Sequence, residues 1–269
     1  MASGGGPGFV LGVKDASQDS RIVGGMGAVY RPMAAEIGDS LHLSQPVRRI
    51  DQDADGVTVR SDDMTVRARR VVVAVPIAIA SQILYEPMLP VDRSFLHPAH
   101  AQWCDLQRST SSTTSRSGAA TGSPVSPPHR DRRARSPSTR PPTPARPGVM
   151  CVIVEGPIAR QIERSSTRPS DRRTILAELV GRFGDKAASP VDYIEQCWTT
   201  ERYSGGGMLS HAPPGVLTEF GPALREPCGR IHWAGTESSA VMCGWVDGAV
   251  RSGERAAFEV MQREFVGVA

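Results

Sequence analysis

The pattern of apolar and polar residues is most regular in residues 21–97. The stretches "LHLSQPVRRI" and "GVTVRSDD" alternate between the two kinds of residue on either side of "DQDADG", whose Asp-Gly pair favours a tight turn, so they predict a hairpin. The following "MTVRARRVVVAVP" predicts an extended strand that loses its alternation at Val71–Val75, as a strand buried on both faces does, and ends at Pro76. A turn and a short helix ending near Gly38 are predicted before the hairpin.

Regular patterns return in residues 149–265. The stretches "VMCVIVEG", "VDYIEQCWTT" and "GRIHWAG" predict strands, and "SDRRTILAELVGRFG" predicts a helix with Ser170 as its N-cap and Gly184 as its stop. The apolar face of that helix consists of Ile175, Leu176, Leu179, Val180 and Phe183. A last helix is predicted from Gly244 to Phe265. Its packing face is predicted to consist of Val246, Ala249, Val250, Gly253, Ala257 and Val260.

Residues 98–148 carry no apolar periodicity. Pro, Ser, Thr and Arg make up 32 of these 51 residues, so the segment buries too little apolar surface to offset its ordering entropy and is predicted to be disordered. Two origins remain open, an inserted linker and a frameshift that begins near His97 and is reversed near Gly148. The frameshift hypothesis rests on 29 Arg against 2 Lys in the chain, because a GC-rich gene read out of frame yields Pro, Arg, Ser and Ala.

Charge and composition narrow the class of protein. The segment 98–148 has eight Arg and two Asp, a net of +6 against +3 for all 269 residues, so basic character is confined to it. No nucleic-acid partner is expected; an Arg/Ser-type RNA-binding tail is the lesser alternative.

No apolar run reaches the roughly 18 residues of a membrane span, and the N-terminus lacks the basic start of a secretory signal. A soluble cytoplasmic protein without a membrane partner is predicted. Neither a metal site nor a disulfide framework is expected, because no C-x-x-C spacing occurs among Cys104, Cys151, Cys197, Cys228 and Cys243.

The stretch "HWAGTESSAVMCGWVDGAV", from His232 to Val250, places small residues between a strand and a helix. Gly244 and Gly248 lack Cβ atoms, and a helix that begins there presents unpaired N–H groups and the positive end of its dipole. Such a junction leaves room for a large flat ligand against the backbone. Taken singly, each glycine is better explained by a tight turn.

Five passages occur in an order that resembles one family. The passages "PVRRI", "ARRVVVAVP", "CWTTERYSGG", "PPGVLTEFGPALREP" and "GRIHWAGTE…GWVDGAVRSGERAA" are similar to those of the flavin-containing amine oxidases, which include bacterial monoamine and putrescine oxidases. The resemblance covers about residues 1–97 and 149–262. It implies a mixed α/β fold, the C-terminal part of a two-domain FAD-linked amine oxidase. The N-terminal Rossmann βαβ unit is expected to be lacking, since the glycine clusters "GGGPGF", "GGMGAVY" and "SGGGML" all fail the G-x-G-x-x-G spacing.

The resemblance also implies a division of the chain. Residues 1–97 correspond to a partial hairpin and strands of the FAD domain with the start of the substrate domain. Residues 149–190 correspond to part of the substrate domain, and residues 191–269 to the C-terminal part of the FAD domain. The segment 98–148 stands where many members carry a lysine near the flavin N5, so no catalytic side chain is assigned.

Roles for individual residues follow from the resemblance alone. The Val246 amide corresponds to the donor to the flavin, and the turn along the ribityl-pyrophosphate portion consists of Gly235, Thr236 and Glu237. The remaining cofactor positions are Gly244 at the helix start, Val47 at the adenine and Trp198 beside the isoalloxazine. Trp245 and Met208 correspond to the two aromatic residues that flank the amine in many members, and Val152 to a position lining the substrate cavity. Gly207 stands where some members bond a cysteine to the flavin, so any FAD is expected to be non-covalent.

The implied activity is FAD-dependent oxidation of primary amines or polyamines by O2 to aldehyde, ammonia and hydrogen peroxide. The alternative is a non-catalytic remnant or interaction fragment that does not retain FAD, because the phosphate-binding loop is missing from the sequence. A related flavin oxidoreductase, such as a protoporphyrinogen oxidase or carotenoid desaturase, is disfavoured by Trp245 and by "YSGG". The choice between a monomer and a homo-oligomer stays open.

Overall fold

The computed structural model describes residues 22–101, 106–113, 135–140, 148–155, 168–198, 201–206 and 212–265, together with Phe9 and Ser20. These ranges contain the helices α1 (Gly27–Ile37), α2 (Ile77–Ala80), α3 (Val91–Ala101), α4 (Arg168–Phe183), α5 (Val216–Phe220) and α6 (Val246–Phe265). The strands are β1 (Arg49–Gln52), β2 (Val57–Arg60), β3 (Thr65–Ala68), β4 (Val71–Val73), β5 (Leu84–Glu86), β6 (Leu106–Thr113), β7 (Arg135–Arg140), β8 (Gly148–Glu155), β9 (Asp192–Cys197) and β10 (Ile231–Trp233).

The chain divides into two compact units, residues 1–101 with 212–269 and residues 102–211. In the first unit, β1 pairs antiparallel with β2 and parallel with β5, while β2 pairs antiparallel with β3. A second sheet consists of the parallel pair β4 and β10. One apolar core contains residues of both sheets, because Ile50 and Val57 cluster with Val73, Ile231 and Trp233.

The predicted hairpin and first helix are confirmed. β1 and β2 pair as a hairpin, but β1 begins only at Arg49, so residues 41–48 of "LHLSQPVRRI" do not form the strand predicted for them. The Asp53 carboxylate accepts hydrogen bonds from the amides of Asp55 (2.8 Å) and Gly56 (2.9 Å), which closes the turn between the two strands. The first helix, α1, ends at Ile37, and Gly38 follows with φ +59°, a conformation that glycine adopts readily.

The single strand predicted from "MTVRARRVVVAVP" is wrong. The structure has two strands there, β3 and β4, which belong to different sheets. The chain changes sheet at Arg69 and Arg70, where the Arg70 Nε donates to Glu264 (2.7 Å) and the Arg230 guanidinium donates to the Arg69 carbonyl (3.2 Å). Burial on both faces is wrong as well, since Val72 is 41% exposed. Among the described residues, β4 pairs with β10 alone.

In the second unit, the antiparallel sheet has the order β7-β8-β6-β9. The predicted strands at "VMCVIVEG" and "VDYIEQCWTT" are confirmed as β8 and β9. Helix α4 begins at Arg168, before its predicted cap at Ser170, and it buries Ile175 and Leu179. Its predicted stop is confirmed, because Gly184 follows with φ +78°.

Strands β6 and β7 lie inside the segment 98–148, for which composition predicts disorder. The structure differs there, since both strands pair with β8, whose apolar sequence supplies the partner that the segment itself lacks. Residues 102–105, 114–134 and 141–147 of the segment lie outside the described ranges. The predicted domain limits remain predictions.

The packing face predicted for α6 is wrong. Its buried residues are Gly248, Ser252 and Ala256, whereas Val246 and Val250 are 46% and 51% exposed. Small residues are required on the inner side because α6 approaches the turn after β10 closely. The helix also begins at Val246 rather than at Gly244.

Among the residues that the structure describes, none of the helices combines the length and the apolar character needed to cross a membrane. Within the same residues, His, Cys, Asp and Glu side chains do not assemble into a group of three that could hold a metal ion.

Candidate cofactor site at the start of the last helix

The candidate site begins where β10 ends. The Ala234 amide extends the pairing with β4 by donating to the Val73 carbonyl (2.9 Å), and the chain then turns at Gly235 with φ +111°. The Ser238 amide and hydroxyl both donate to the Gly235 carbonyl, at 3.0 and 2.9 Å. The turn therefore lies at the carboxyl ends of two parallel strands, which is the usual position of ligand sites in open α/β sheets.

The Thr236 hydroxyl links this turn to the loop that precedes α6. Its Oγ1 accepts a hydrogen bond from the Gly244 amide (2.6 Å) and donates to the Trp245 carbonyl (3.0 Å). The hydroxyl therefore uses its proton and one lone pair inside the protein. Thr236 shapes the predicted cofactor turn through these two hydrogen bonds.

Thr236→Val should lower the free energy of unfolding by about 1–3 kcal/mol, because the Gly244 amide and the Trp245 carbonyl both lose their partner. Urea denaturation of both proteins measures the difference. Thr236→Ser keeps the hydroxyl and should stay close to wild type. Equal midpoints for the valine variant and wild type would show that the link is not stabilising.

Gly248 is required by the packing of the loop. A Cβ added at Gly248 would lie 2.2 Å from the Met242 carbonyl oxygen and 3.2 Å from the Thr236 Oγ1. On the same side of α6, the Ser252 hydroxyl accepts from the Gly235 amide (2.9 Å) and donates to the Ala249 carbonyl (2.7 Å). Turn, loop and helix thus contact one another through backbone atoms and small side chains.

The N-terminus of α6 presents the donors of the site. The Ala249 amide donates to the Trp245 carbonyl (3.1 Å), so Val246 is the first helical residue and its own amide has no acceptor within the helix. The 20-residue helix places the positive end of its dipole here. Val246 is 46% exposed, so this end of α6 lies at the surface of its unit. A group that gathers negative charge would be stabilised beside the Val246 amide and the positive end of the helix dipole.

An aromatic contact lies beside the helix start. The Trp245 ring lies 6.3 Å from the Phe9 ring, with the two planes inclined by 60°. This tilted arrangement is a favourable one for an aromatic pair. It gives Trp245 an apolar neighbour from the N-terminal part of the chain.

A buried arginine supports the strand that leads into the turn. The Arg93 guanidinium lies 3.7 Å above the Trp233 ring, and its Nη1 donates to the Ala223 (3.3 Å) and Leu224 (3.4 Å) carbonyls. Arg93 is 4% exposed, and burial lowers its pKa to about 10, so it stays charged at neutral pH. The cation is held by a π face and carbonyl dipoles, an arrangement that no sequence pattern indicates.

His232, in the middle of β10, is fully buried against α6. Its Nδ1 lies 3.2 Å from the Glu259 Oε2, and burial lowers the pKa of the imidazole although Glu259 opposes the shift. At neutral pH the ring is therefore uncharged. Since a carboxylate only accepts hydrogen bonds, the proton is assigned to Nδ1.

The free energy of unfolding should fall as the pH drops below about 6.5, the ordinary pKa of histidine. Because burial lowers the pKa of His232 in the folded state, the unfolded state binds a proton at this residue at a higher pH than the folded state does. One such group changes the free energy of unfolding by at most about 1.4 kcal/mol per pH unit. Urea denaturation between about pH 7.5 and about pH 5.5 measures it. His232→Gln should flatten the curve, and an unchanged slope in that variant would assign the dependence to other groups.

Some of the predicted site residues lie together in the first unit, and others belong to the second unit. The turn, the loop and the start of α6 bring together Gly235, Thr236, Glu237, Gly244, Trp245 and Val246. Val47 lies in the same unit, half-buried against the core before β1. Trp198, 38% exposed after β9, and Val152, in β8, belong to the other unit. Met208 lies outside the described residues.

Sequence reasoning missed three side chains around the site. Ser252 and Arg255 bind the turn from α6, and Arg93 lies over the Trp233 ring, in the strand that precedes the turn. The four-residue spacing of Arg255 and Glu259 was a visible signal of an ion pair on one helix face. Nothing in the local sequence distinguishes a buried arginine from an exposed one.

The chain is similar to known proteins over nearly its whole length. The profile of the family described as flavin containing amine oxidoreductase matches residues 4–261. AofH of Mycobacterium tuberculosis, named as a flavin-containing monoamine oxidase, is 35% identical over 97% of the chain and 56% of its own length. An L-amino acid dehydrogenase of Synechocystis sp. is 35% identical over 93% of the chain and 54% of its own length. The chain thus spans about half the length of the curated relatives that it matches.

Solved structures show the same likeness. Cyclohexylamine oxidase from Brevibacterium oxydans superposes with a TM-score of 0.87 and 30% identity, over 96% of the chain and 57% of that protein. Putrescine oxidase bound to putrescine superposes with a TM-score of 0.80 and 28% identity, over 93% of the chain and 55% of that protein. The mixed α/β arrangement predicted from the sequence is confirmed by these superpositions.

Proposed function

The chain belongs to the flavin-containing amine oxidoreductase family, and we propose that it catalyses the FAD-dependent oxidative deamination of primary amines or polyamines. The proposed products are aldehyde, ammonia and hydrogen peroxide, with O2 as the electron acceptor. Family membership supports a flavin cofactor and an amine substrate in general. Non-covalent binding of FAD, with Gly207 in place of a bonded cysteine, and a cytoplasmic location are parts of the same proposal.

The observation that carries the proposal is the open N-terminus of α6 beside the turn after β10. The Val246 amide and the helix dipole offer fixed donors to a group that gathers negative charge, without a conformational change during the reaction. When bound, FAD supplies the oxidation by accepting the equivalent of a hydride from the amine. Gly235, Thr236 and Glu237 would follow its ribityl-pyrophosphate portion, and the loop at Gly244 would lie beside the ring.

The remaining predicted residues complete the proposed sites. The extended main chain at Val47 would contact the adenine, and Trp198 would pack beside the isoalloxazine. Trp245 and Met208 would flank the amine, with Trp245 as the aromatic wall and the Met208 thioether as a soft, polarizable one. Val152 would line the cavity. Apolar walls of this kind would orient an uncharged amine for transfer of a hydride equivalent to the cofactor.

A second candidate is a non-catalytic fragment that does not retain FAD. It is favoured by one observation, that the sequence contains no G-x-G-x-x-G loop. That loop normally anchors the pyrophosphate at a helix N-terminus.

Flavin retention and peroxide formation, measured on the purified chain, distinguish the amine oxidase from the non-catalytic fragment. The chain is incubated with FAD and freed of unbound cofactor, and its flavin absorbance is measured. Peroxide formation is then followed with benzylamine, putrescine and cyclohexylamine. The amine oxidase is expected to retain flavin and to form peroxide in proportion to it, with heat-denatured protein as the control. A colourless protein without peroxide would overturn the proposal and support the fragment.

A further inference from the structure

Arg255, on the inner side of α6, contacts both the end of β10 and the turn that follows it. Its Nη2 donates to the Trp233 carbonyl (2.7 Å) and to the Ser238 hydroxyl (3.2 Å). The Ser238 hydroxyl in turn donates to the Gly235 carbonyl (2.9 Å). One guanidinium nitrogen therefore links the last residue of the strand to the turn.

The other side of the guanidinium is held by a carboxylate. The Arg255 Nη1 donates to the Glu259 Oε1 (2.5 Å), one helical turn further along α6. The second oxygen of Glu259 accepts from the His232 Nδ1 (3.2 Å), and His232 is fully buried in β10. Glu259 is thus held between the helix and the strand, and it helps to orient the Arg255 guanidinium, whose Nη1 also donates to the Arg225 carbonyl (3.5 Å).

We infer that Arg255 is a positioning residue, which holds the Gly235–Ser238 turn in the conformation that receives the cofactor, and that Glu259 orients it. This role rests on the function proposed for the turn. A planar guanidinium donates in several fixed directions, so it can join two acceptors and a carboxylate at once. A lysine ammonium keeps the charge but lacks this geometry.

The competing role for Arg255 is a purely structural one, the attachment of α6 to the core. The two roles differ in where the chain loosens when the side chain is lost. Loss of a structural attachment destabilises the first unit as a whole. Loss of a positioning residue opens the turn while distant hydrogen bonds, such as that from the Asp53 amide to the Gly56 carbonyl (3.0 Å), keep their protection.

The test compares Arg255→Met and Arg255→Lys with Arg251→Met in the full chain. Arg251 forms a similar ion pair with Asp247 on the same helix (2.6 Å), but both side chains are about half exposed, so Arg251→Met is the matched control. Amide hydrogen exchange is measured at Gly235, Ser238, Ser239 and Gly244 and in the β1–β2 hairpin. FAD affinity is measured by titration of each protein.

The expected result is selective. In Arg255→Met the turn amides exchange about tenfold faster or more, the hairpin amides do not change, and FAD binds about tenfold more weakly or worse. Arg255→Lys recovers part of both losses, and Arg251→Met matches wild type. If Arg255→Met does not fold, Glu259→Gln replaces it, with the same selective loosening expected.

Two results would overturn the inference, equal acceleration of turn and hairpin amides or unchanged exchange at the turn. Wild-type protein that does not bind FAD would overturn the proposed function instead. The exchange comparison needs no cofactor, so it decides the role of Arg255 in either case.

Discussion

Gly248→Ala should unfold at a much lower urea concentration than wild type and should retain little or no flavin. The new Cβ would lie 2.2 Å from the Met242 carbonyl oxygen, closer than two unbonded atoms can approach, so the loop or α6 must move. We expect a loss of about 3 kcal/mol in the free energy of unfolding. The displaced loop carries Gly244, whose amide binds the Thr236 hydroxyl, so the cofactor turn is disturbed as well.

Gly253→Ala is the matched control on the same helix. Apart from the neighbouring backbone of α6, no atom of the described residues lies within 4 Å of a Cβ built at Gly253, so alanine fits without a shift. Alanine is the better helix former, and this variant should be about 0.5–1 kcal/mol more stable than wild type. Urea denaturation and flavin absorbance measure both variants. A Gly248→Ala protein as stable as Gly253→Ala would show that the loop is free to move aside.

Val246→Pro should fold close to normally and still lose the amine oxidase activity proposed for the chain. Proline is tolerated at the first position of a helix, where the missing N–H has no acceptor within the helix, so α6 should persist. If that amide is the donor to the flavin, its loss should lower the rate of peroxide formation by about 100-fold, as removal of a fixed donor does in other active sites.

Val246→Ala separates the amide from the side chain. It shortens a side chain that is already 46% exposed and keeps the N–H. The flavin absorbance, the circular dichroism and the rate of peroxide formation are compared for both variants. Equal rates for the proline and alanine variants would mean that the amide is not the donor.

The site could be predicted from the sequence to the extent that it depends on residues close together in the chain. Gly235 and Gly244 adopt φ of +111° and +89°, conformations that glycine favours, and such positions are visible in a sequence as glycines between a strand and a helix. The Thr236 contacts span only eight and nine residues. Local sequence therefore indicates where the turn, loop and helix start lie.

The inner face of α6 could not be predicted from hydrophobic periodicity. Periodicity assigns the bulkier Val246 and Val250 to the core, but the close approach of the turn admits only Gly248, Ser252 and Ala256. The short distance between α6 and the turn after β10, rather than side-chain hydrophobicity, decides which side of the helix is buried. That distance is a property of the tertiary structure and is not contained in the sequence of α6.

The burial of Arg93 and the strand β6 are two other features that the local sequence does not predict. The position of Arg93 depends on the Trp233 ring, which is 140 residues away in the chain, so local patterns contain no sign of it. The strand β6 has few apolar residues of its own, and its pairing depends on β8, so composition alone indicates disorder. In both cases a distant partner determines the structure.

Binding of FAD at the start of α6 is tested most directly by the amides that FAD protects in the full chain. Amide hydrogen exchange is measured with and without excess FAD, with the β1–β2 hairpin as the internal reference. FAD is expected to slow exchange from Gly235 to Gly248, most strongly at the Val246 amide, and to leave the hairpin unchanged. Flavin binding that leaves this stretch unprotected, or no binding at all, would contradict this expectation.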